Sequence, residues 1–289
     1  MKPAPFTYHD PTSVGELVSL LGTIEDAKLL AGGQSLMPML NLRLAQPDHL
    51  IDLNTVAGLS GIEATSSGVR VGAMVRQASL MKSAELAKDM PVLAEALHWV
   101  GHFQTRTRGT IGGSLSHLDP AAELPAVALL YDAALTVNGP DGSRIVPIRE
   151  WPIAYMIPNL AEDEVLTSIE FSSWGESHGH AFEEFARRYG DFAMVAVGAL
   201  LAVRDGVITR AAVSLAGTQP TPMRLDEVEA ALIGQPAAPD SFRAAAEMAK
   251  KMEAMSDSYT SSRYRQRLAG VLVERALAKA AIRANSGGE

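Results

Sequence analysis

The sequence predicts an α+β protein with two domains. Three observations support that class: a length of 289 residues, an ordinary globular composition, and apolar patterns that change from mixed strands and helices to a hairpin followed by helices. Apolar residues make up 47% and charged residues 20%, which suits a packed core and argues against disorder. We place the first domain at residues 1–175, with subdomains of about 1–57 and 58–175, and the second at residues 176–289.

The first subdomain has the pattern of a small α/β unit. Ser13 is a suitable N-cap for a helix over Val14–Leu21. The short apolar segment at residues 28–30 predicts a strand that enters a glycine turn. A second extended segment is expected at residues 50–53.

The second subdomain mixes strands and helices. Strands are predicted at residues 69–71 and 165–171, helices at residues 78–86 and 92–100, and a hairpin that begins at residues 134–137 and turns at residues 139–142. A polar, Gly/Ser-rich stretch without apolar periodicity follows at residues 172–179. It is the predicted domain boundary.

The second domain is predicted to be a small antiparallel sheet backed by helices. A continuous apolar strand at residues 191–203 turns at Asp205 and Gly206 and returns through residues 207–215. Beyond this hairpin, apolar residues three and four apart predict three helices, at residues 225–233, 241–252 and 264–281.

Charge and cysteine content exclude several functions. Lys and Arg number 25 against 33 for Asp and Glu, and the net charge of -8 would repel a phosphate backbone, so no nucleic-acid partner is expected. With no Cys, the chain cannot form disulfides, thiolate zinc sites, a cysteine nucleophile or a cysteine-ligated iron–sulfur cluster. The N-terminal pattern is unlike a signal peptide, and the longest apolar run, residues 192–203, is shorter than the roughly 20 residues that cross a bilayer. We expect a cytoplasmic protein without a membrane span.

Two glycine pairs, each after an apolar segment, are the strongest motifs. Gly32 and Gly33 lie in the segment LAGGQSLMP, and Gly112 and Gly113 lie in GTIGGS. Glycine tolerates positive φ and close approach of a ligand, so such turns can direct backbone N–H groups at an anion, and two of them suit a diphosphate. Glycine pairs are also common in plain turns, and spacing alone leaves both interpretations open. Neither the G-x-G-x-x-G nor the P-loop pattern is present.

Two histidine pairs favour structural roles over metal binding. His98 and His102 are four residues apart on a predicted helix but lack the Glu of H-E-x-x-H. His178 and His180 lie in the predicted linker without a nearby acidic or sulfur ligand. No metal site is predicted.

Two further groups of polar residues remain to be assigned. Ser116, His117 and Asp119 are close in sequence, but no G-x-S-x-G elbow presents a nucleophile, which argues against a hydrolase. Arg106 and Arg108 occupy alternate positions of a predicted extended strand and would share one face. They could meet a phosphate or a partner chain, and the sequence leaves both roles open.

Segments along nearly the whole chain resemble one family. Residues 31–36 (AGGQSL), 104–114 (QTRTRGTIGGS) and 119–125 (DPAAELP) resemble the FAD-binding medium subunit of molybdenum hydroxylases, the carbon monoxide dehydrogenase and xanthine dehydrogenase group. Residues 188–193 resemble the family's entry into its C-terminal domain, and residues 264–277 resemble its closing helix.

The resemblance implies a fold and a cofactor site. The fold is a two-subdomain FAD-binding domain of the vanillyl-alcohol-oxidase/PCMH-like type, followed by a C-terminal domain of the CO dehydrogenase flavoprotein type. The glycine loops would surround the FAD pyrophosphate and ribityl chain, and the family usually has Asn at Ser114 and at Thr107. Asp119 would reach the polar part of FAD, Leu160 and Leu166 the adenine, and Phe192 the isoalloxazine ring. The implied cofactor residues are Ala31, Gly32, Gly33, Gln34, Ser35, Leu36, Thr110, Ile111, Gly112, Gly113, Ser114, Asp119, Leu160, Leu166 and Phe192.

The resemblance also implies an electron-transfer role in a larger oxidoreductase. A large subunit with a molybdenum cofactor would hydroxylate the substrate, a small subunit with [2Fe–2S] clusters would pass electrons on, and FAD on this chain would deliver them to an external acceptor. The expected assembly is a dimer of heterotrimers, with no catalytic residue on this chain. Two alternatives remain: a self-sufficient FAD-dependent oxidase or dehydrogenase, which needs a titratable base beside the flavin, and a cofactor-free scaffold subunit, which would show no flavin spectrum.

Overall fold

The N-terminal subdomain is built on a parallel sheet of three strands. The computed structural model describes residues 2–174 and 178–286. The first elements are β1 (Thr7–His9), α1 (Val14–Leu21), β2 (Ala27–Leu30), α2 (Leu36–Asn41) and β3 (His49–Asp52). The strand order is β1–β3–β2. The predicted helix cap is confirmed: Ser13 Oγ accepts a hydrogen bond from the N–H of Glu16 at 3.2 Å, and the Glu16 carboxylate accepts one from the N–H of Thr12 at 2.8 Å.

The second subdomain is an antiparallel sheet of five strands with helices packed on it. Its elements are β4 (Ile62–Ala64), β5 (Gly68–Gly72), α3 (Gln77–Leu80), α4 (Ala84–Asp89), α5 (Pro91–Trp99), α6 (Phe103–Arg108), α7 (Ile111–His117), α8 (Glu123–Leu130), β6 (Ala134–Gly139), β7 (Gly142–Pro147), β8 (Pro152–Ala154), β9 (Ile157–Pro158) and β10 (Val165–Ser172). The order in the sheet is β4–β5–β10–β6–β7. The predicted hairpin is confirmed as β6–β7, and β8 and β9 form a separate pair.

Two predictions for the helical layer of this subdomain are wrong. The single helix predicted at residues 78–86 is two helices, α3 and α4, because Ser83 Oγ accepts from the N–H of Leu86 and starts a new helix. The extended strand predicted at Arg106 and Arg108 is helix α6. Positions two apart on a helix face different directions, so Arg106 is buried and Arg108 is exposed.

The C-terminal domain is a four-stranded antiparallel sheet with helices on one face, as predicted. Its elements are β11 (Gly179–Ala186), β12 (Ala193–Arg204), β13 (Val207–Ala216), β14 (Met223–Arg224), α9 (Asp226–Leu232), α10 (Pro239–Ala249) and α11 (Ser262–Ser286). Strand β11 corrects the prediction that the domain opens at Asp191, and it places His180 in a strand instead of a linker. Of the predicted boundary, residues 175–177 lie outside the described residues. No helix in the described ranges is long and apolar enough to cross a membrane.

Strand β12 is buried on both faces, which explains its unbroken apolar sequence. Ala196 and Leu200 belong to the large core that also contains α5, α8 and the five-stranded sheet. Val195 and Val197 belong to a second core, between the C-terminal sheet and α9–α11. A strand covered on both sides has no polar face, so its sequence does not alternate. The C-terminal sheet is therefore packed directly on the first domain.

Candidate functional site

A large cavity lies where the two N-terminal subdomains and the start of the C-terminal sheet meet. Its volume is about 1460 Å³, and its wall includes segments from both glycine loops, from α7 and from the chain before β12. Pockets for small molecules are usually about 300–1,000 Å³. The volume therefore suits a ligand larger than an ordinary metabolite.

The first glycine loop presents free backbone donors to this cavity. It connects β2 to α2, and Gly33 has a φ of +70°, a conformation that glycine adopts without strain. The Gln34 amide donates to the carbonyl oxygen of Gly32 at 3.0 Å and holds the turn. Within the described residues, the backbone N–H groups of Gly32, Gly33, Gln34 and Ser35 have no protein acceptor. These donors are available to an anion such as a phosphate.

The second glycine loop is different, because its N–H groups are already bonded within the protein. Thr110 caps α7, and its hydroxyl accepts from the N–H of Gly113 at 3.0 Å. The N–H of Ile111 donates to the Val75 carbonyl oxygen at 3.1 Å, and that of Gly112 donates to the carbonyl of Ala73 at 2.8 Å. Of the two interpretations that the sequence left open, an anion nest therefore does not apply to the N–H groups of residues 111–113.

The second loop contributes close packing instead, because its glycines have no side chains to keep neighbouring groups away. A Cβ atom on Gly112 would lie 2.7 Å from the carbonyl oxygen of Ala73, and one on Gly113 would lie 2.8 Å from Thr110 Oγ1. The same Gly113 position is 3.5 Å from the Cβ of Ala31 in the first loop. Side chains at these two positions would collide with Ala73 and with Thr110, and at Gly113 the second loop is already within van der Waals range of the first.

Most residues assigned to the cofactor from the resemblance line this cavity. They are Ala31, Gly32, Gly33, Gln34, Ser35, Leu36, Thr110, Gly112, Gly113, Ser114, Asp119, Leu160, Leu166 and Phe192. Ile111 does not: its side chain is buried in the large core behind the wall. Leu166 is buried and Leu160 half-buried, whereas Phe192 is 69% exposed, so one aromatic ring stands free beside the cavity.

Other lining residues were not assigned to the cofactor from the sequence. They include Lys28, Gln77, His117 and Glu123. Gln77 is only 5% exposed, and its Oε1 has no hydrogen-bond partner among the described residues. A buried amide oxygen without a partner is unfavourable, so this group is suited to contact with a bound ligand. No local pattern marks Gln77, since its burial depends on the packing of α3 against α6.

Burial is the main cause of the pKa shifts of two titratable residues in the cavity wall. It lowers the pKa of His117, although the nearby Asp119 opposes the shift, so this imidazole favours its neutral form. Burial raises the pKa of Glu123 to about 7, against a lowering by its own backbone N–H, and the charge of Asp119 raises it further. In the described part of the wall, Lys28 is the only Lys or Arg, so backbone N–H groups are the main donors for a phosphate.

The arginines left open by the sequence lie outside the cavity wall. Arg106 donates to the carbonyl oxygens of Val100 at 2.8 Å and Gly101 at 3.0 Å. Both of those residues line the cavity, so Arg106 supports the wall from behind. The side chain of Arg108 is exposed and does not line the cavity.

Within the described residues, the remaining candidate motifs do not come together in a catalytic or metal centre. Helix α5 ends at Trp99 and His102 precedes α6, so His98 and His102 do not share a helix as predicted. No group of three or more potential metal ligands occurs in the described residues. Ser116 and His117 line the cavity, but no hydrogen bond joins these two side chains in the described structure. These two side chains therefore form no hydrolase arrangement in the part of the chain that the structure describes.

Family models match both domains. Residues 4–174 match the FAD binding domain in molybdopterin dehydrogenase, and residues 180–280 match the CO dehydrogenase flavoprotein C-terminal domain. The chain is 37% identical over 287 residues to the 6-hydroxypseudooxynicotine dehydrogenase complex subunit alpha of Paenarthrobacter nicotinovorans, covering 98% of this chain and 97% of that protein. It is 36% identical over 279 residues to the carbon monoxide dehydrogenase medium chain of Hydrogenophaga pseudoflava, covering 96% and 97%.

Solved structures of similar sequence have the same fold as this chain. A chain of the Hydrogenophaga pseudoflava carbon monoxide dehydrogenase, in a form lacking the Mo-pyranopterin moiety of its cofactor, superimposes with a TM-score of 0.95 at 38% identity, over 98% of this chain and 99% of that one. A chain of quinoline 2-oxidoreductase from Pseudomonas putida 86 superimposes with a TM-score of 0.94 at 33% identity, over 98% and 99%.

The site also fits FAD on its own geometry. The cavity is large enough for a dinucleotide, the first loop has free N–H groups, the glycines leave room for close approach, and Gln77 has an unsatisfied buried oxygen. The predicted recognition and fold class are confirmed. The chain belongs to the family of FAD-binding medium subunits of molybdenum-dependent dehydrogenases, in which an FAD-binding domain is followed by a CO dehydrogenase flavoprotein C-terminal domain.

Proposed function

We propose that this chain carries FAD as the electron-transfer subunit of a molybdenum hydroxylase complex. One observation carries the proposal: a chain with this cavity aligns over 98% of its length with a carbon monoxide dehydrogenase chain, at a TM-score of 0.95. When bound, FAD supplies the redox chemistry, accepting electrons and passing them on. The protein's part is to bind, orient and shield the cofactor.

Each part of the wall has a distinct role in holding the cofactor. The free N–H groups of residues 32–35 would hold the pyrophosphate, since the described wall offers few cationic side chains for it. Thr110 and Ser114 supply hydroxyl groups beside the glycines of the second loop. Leu160 and Leu166 would provide apolar surface for the adenine, Asp119 would meet a polar part of the cofactor, and Phe192 would lie at the isoalloxazine end, since all four line the cavity.

The substrate and its oxidation belong to other chains. This chain has no Cys to ligate an iron–sulfur cluster, and it contains no cluster of potential metal ligands in its described residues. A small subunit with [2Fe–2S] clusters would bring electrons to the cavity, and a large subunit with the molybdenum cofactor would oxidise the substrate. An external acceptor would then reoxidise FAD. We propose that two such heterotrimers form the complete enzyme.

The self-sufficient flavoenzyme remains the second candidate because of Glu123. A titratable base beside the flavin is what that alternative needs, and Glu123 is a titratable group in the cavity wall. The full-length match to medium subunits of larger complexes favours the electron-transfer role. The cytoplasmic location expected from the sequence remains a prediction that cell fractionation would test.

The proposal is tested by purifying the chain alone and together with its partner subunits. The isolated chain should bind FAD, be bleached by a chemical reductant and be reoxidised by a dye, yet fail to oxidise N-heterocycles, aldehydes or carbon monoxide. Substrate-dependent dye reduction should require the other subunits. Turnover by the lone chain at the rate of the complex would establish the self-sufficient flavoenzyme instead. A correctly assembled complex without flavin in this subunit would establish the scaffold.

A further inference from the structure

Exposed aromatic side chains cluster on one side of the cavity. Within the described residues, eight Phe or Tyr side chains are exposed, and five of them belong to three neighbouring segments. These five are Phe103, Phe185, Tyr189, Phe192 and Tyr264. Burial of such rings is favourable, so a cluster of them left in water is typical of a surface that another molecule covers.

Phe185 and Tyr264 form the part of this cluster that belongs to the C-terminal sheet and its last helix. Phe185 lies near the end of β11, and the ring of Tyr264, in the first turn of α11, meets it edge-on with 6.4 Å between ring centroids. Arg265, the next residue of α11, donates to the carbonyl oxygen of Met194 at 2.6 Å. The start of α11 is therefore held against the start of β12, two residues after Phe192.

The loop that joins β11 to β12, residues 187–192, connects this cluster to the cavity. The ring of Tyr189 lies 6.0 Å from the ring of His102, which directly precedes Phe103 in the chain. Residues 190–192 line the cavity. The exposed rings are therefore continuous with the proposed cofactor site.

The same segments carry unpaired positive charge. They contain four exposed arginines: Arg187, Arg188, Arg263 and Arg267. Among the described residues, none of these four side chains makes an ion pair or a hydrogen bond. Asp191 is the only acidic residue at positions 185–192 and 263–267. Since the whole chain has a net charge of -8, this is a local field of the opposite sign.

The neighbouring carboxylates do not offset this charge. Asp257 pairs with the buried Arg265. On β11, Glu183 pairs with Lys279 at 3.2 Å, and Glu184 is only 7% exposed. The five rings and the four free arginines, which we call the aromatic–arginine face, therefore combine apolar surface with positive charge.

The composition of this face favours a protein partner over a lipid surface. Phe, Tyr and Arg are enriched at protein interfaces, whereas Lys is depleted. Positions 185–192 and 263–267 contain five Arg and no Lys, but a surface that binds anionic lipids uses either residue.

The apolar area favours a lasting subunit contact over a brief encounter. Each aromatic ring buries about 150–250 Å² when it is fully covered, so five exposed rings can supply much of the roughly 800 Å² that each partner contributes to a stable interface. Transient electron-transfer encounters bury less. The positive charge requires that the partner's complementary surface be acidic.

We propose that the aromatic–arginine face is the docking surface for the iron–sulfur subunit, which contacts it through an acidic rim around an apolar centre. The inference rests on the proposed function, because an electron donor is needed here only if the cavity holds FAD. Electron transfer requires that donor and acceptor approach closely, and residues 190–192 belong both to the loop that carries this face and to the cavity wall. The rings supply affinity, and the arginines steer and orient the partner.

The first test measures how charge contributes to docking. The probe is the small iron–sulfur subunit of this chain's own complex, titrated calorimetrically into the FAD-loaded chain at several NaCl concentrations. Affinity for the wild type should fall as salt rises. Combining Arg188→Glu with Arg267→Glu should weaken binding at least tenfold at low salt and reduce the salt dependence.

The matched control for this charge reversal is Arg204→Glu. Arg204 is also exposed, but it ends β12 at the turn far from the cavity, about 35 Å along the strand from Ala193. This variant should bind the iron–sulfur subunit as the wild type does. Equal losses in the control and in the double variant would contradict a localised docking surface.

The second test measures how the rings contribute. Phe103→Ala should weaken binding about tenfold without changing its salt dependence, because it removes apolar contact and no charge. Ile145→Ala is the control, since Ile145 is 70% exposed on β7, in a different part of the structure. None of the residues replaced in the two tests lines the cavity, so every variant should keep the wild-type FAD content, which also reports correct folding.

Hydrogen exchange identifies the partner that covers the face. Adding the iron–sulfur subunit should slow amide exchange in peptides that span residues 185–192 and 262–268. Protection of these peptides only by the large subunit, or only by phosphatidylglycerol vesicles, would overturn the proposal.

The outcomes separate this inference from the proposed function. If the double arginine variant and Phe103→Ala both bind the iron–sulfur subunit with wild-type affinity, the face is not its docking surface, and the electron-transfer role is unaffected. A chain that purifies from its own cells without any iron–sulfur subunit would overturn the proposed function, and this inference with it.

Discussion

The backbone of Gly32 packs directly against the carbonyl oxygen of Arg108, so the first glycine loop touches the residue that precedes the second. A Cβ at position 32 would overlap this carbonyl, and the same oxygen accepts a hydrogen bond from Nη1 of Arg76. Arg76 Nη2 also donates to the amide oxygen of Asn54, whose own Nδ2 donates to the carbonyl oxygen of Ala31 at 3.2 Å. The spacing between the two loops is thus fixed both by the missing side chain and by a polar brace.

Replacing Gly32 by alanine should separate the loops and weaken FAD binding. The added methyl group meets backbone atoms of Arg108 and Gly109, which cannot move as a side-chain end can. We expect at least a tenfold loss of affinity, equivalent to about 1.4 kcal/mol, measured by flavin fluorescence titration. Gly15→Ala is the matched control, because a Cβ there meets nothing within 4 Å. Equal losses in both variants would contradict this account.

Replacing Arg76 by lysine should weaken FAD binding without removing the positive charge. The guanidinium contacts two acceptors at once, the carbonyl of Arg108 and the side chain of Asn54, and a single ammonium group does not reproduce that fork. The expected loss of FAD affinity is about three- to tenfold. Arg70→Lys, at an exposed ion pair with Glu170, serves as the control and should leave the affinity unchanged. An unaltered affinity in Arg76→Lys would show that the brace does not set the loop spacing.

Replacing Gln77 by leucine should change stability and cofactor binding in opposite directions. The buried amide oxygen has no partner in the described protein, so an apolar side chain of similar size should raise the free energy of unfolding of the cofactor-free chain by about 1 kcal/mol. The same change removes a polar group from the cavity wall and should lower FAD affinity. Urea denaturation of the apoprotein and a flavin titration measure the two effects. A variant that is less stable and binds FAD normally would exclude a ligand-directed role for Gln77.

Replacing Glu184 by glutamine should flatten the pH dependence of stability. Burial raises the pKa of Glu184 to about 9, so between about pH 5 and pH 9 the folded chain keeps a proton that the unfolded chain has released. The free energy of unfolding therefore falls as the pH rises through this window. Glutamine is neutral throughout, and the fall between about pH 6 and about pH 9 should be more than 1 kcal/mol smaller in the variant, since each pKa unit corresponds to about 1.4 kcal/mol. Urea denaturation at both pH values measures the difference, and Glu183→Gln should retain the wild-type slope.

The elements that the sequence predicted well are those with a strong local signal. Ser13 followed by Glu16 marks the start of α1, and Asp205 with Gly206 marks the turn between β12 and β13. Helix α6 was missed because QTRTR is short and polar and has no apolar period. Strand β11 was missed for a related reason: its inner face carries Glu184 where the pattern of a buried strand requires an apolar residue.

The candidate site was predicted only in part, because some of its features have a local sequence signal and others do not. Glycine loops can be recognised locally, because a glycine pair after a strand already restricts what the backbone does there. The sequence could not show that Thr110 would occupy the N–H of Gly113 and leave only the first loop with free donors. The burial of Gln77 and Glu123 also depends on segments that are distant in the sequence. No rule based on the spacing of nearby residues predicts such burial.

The burial of β12 on both faces has a consequence for how this architecture can be divided. The two family models meet between residues 174 and 180, which suggests two interchangeable modules. Ala196 and Leu200, however, complete a core whose other half belongs to the first module. A gene cut at that border would leave each product with an uncovered apolar face. The intact chain should melt in one cooperative transition.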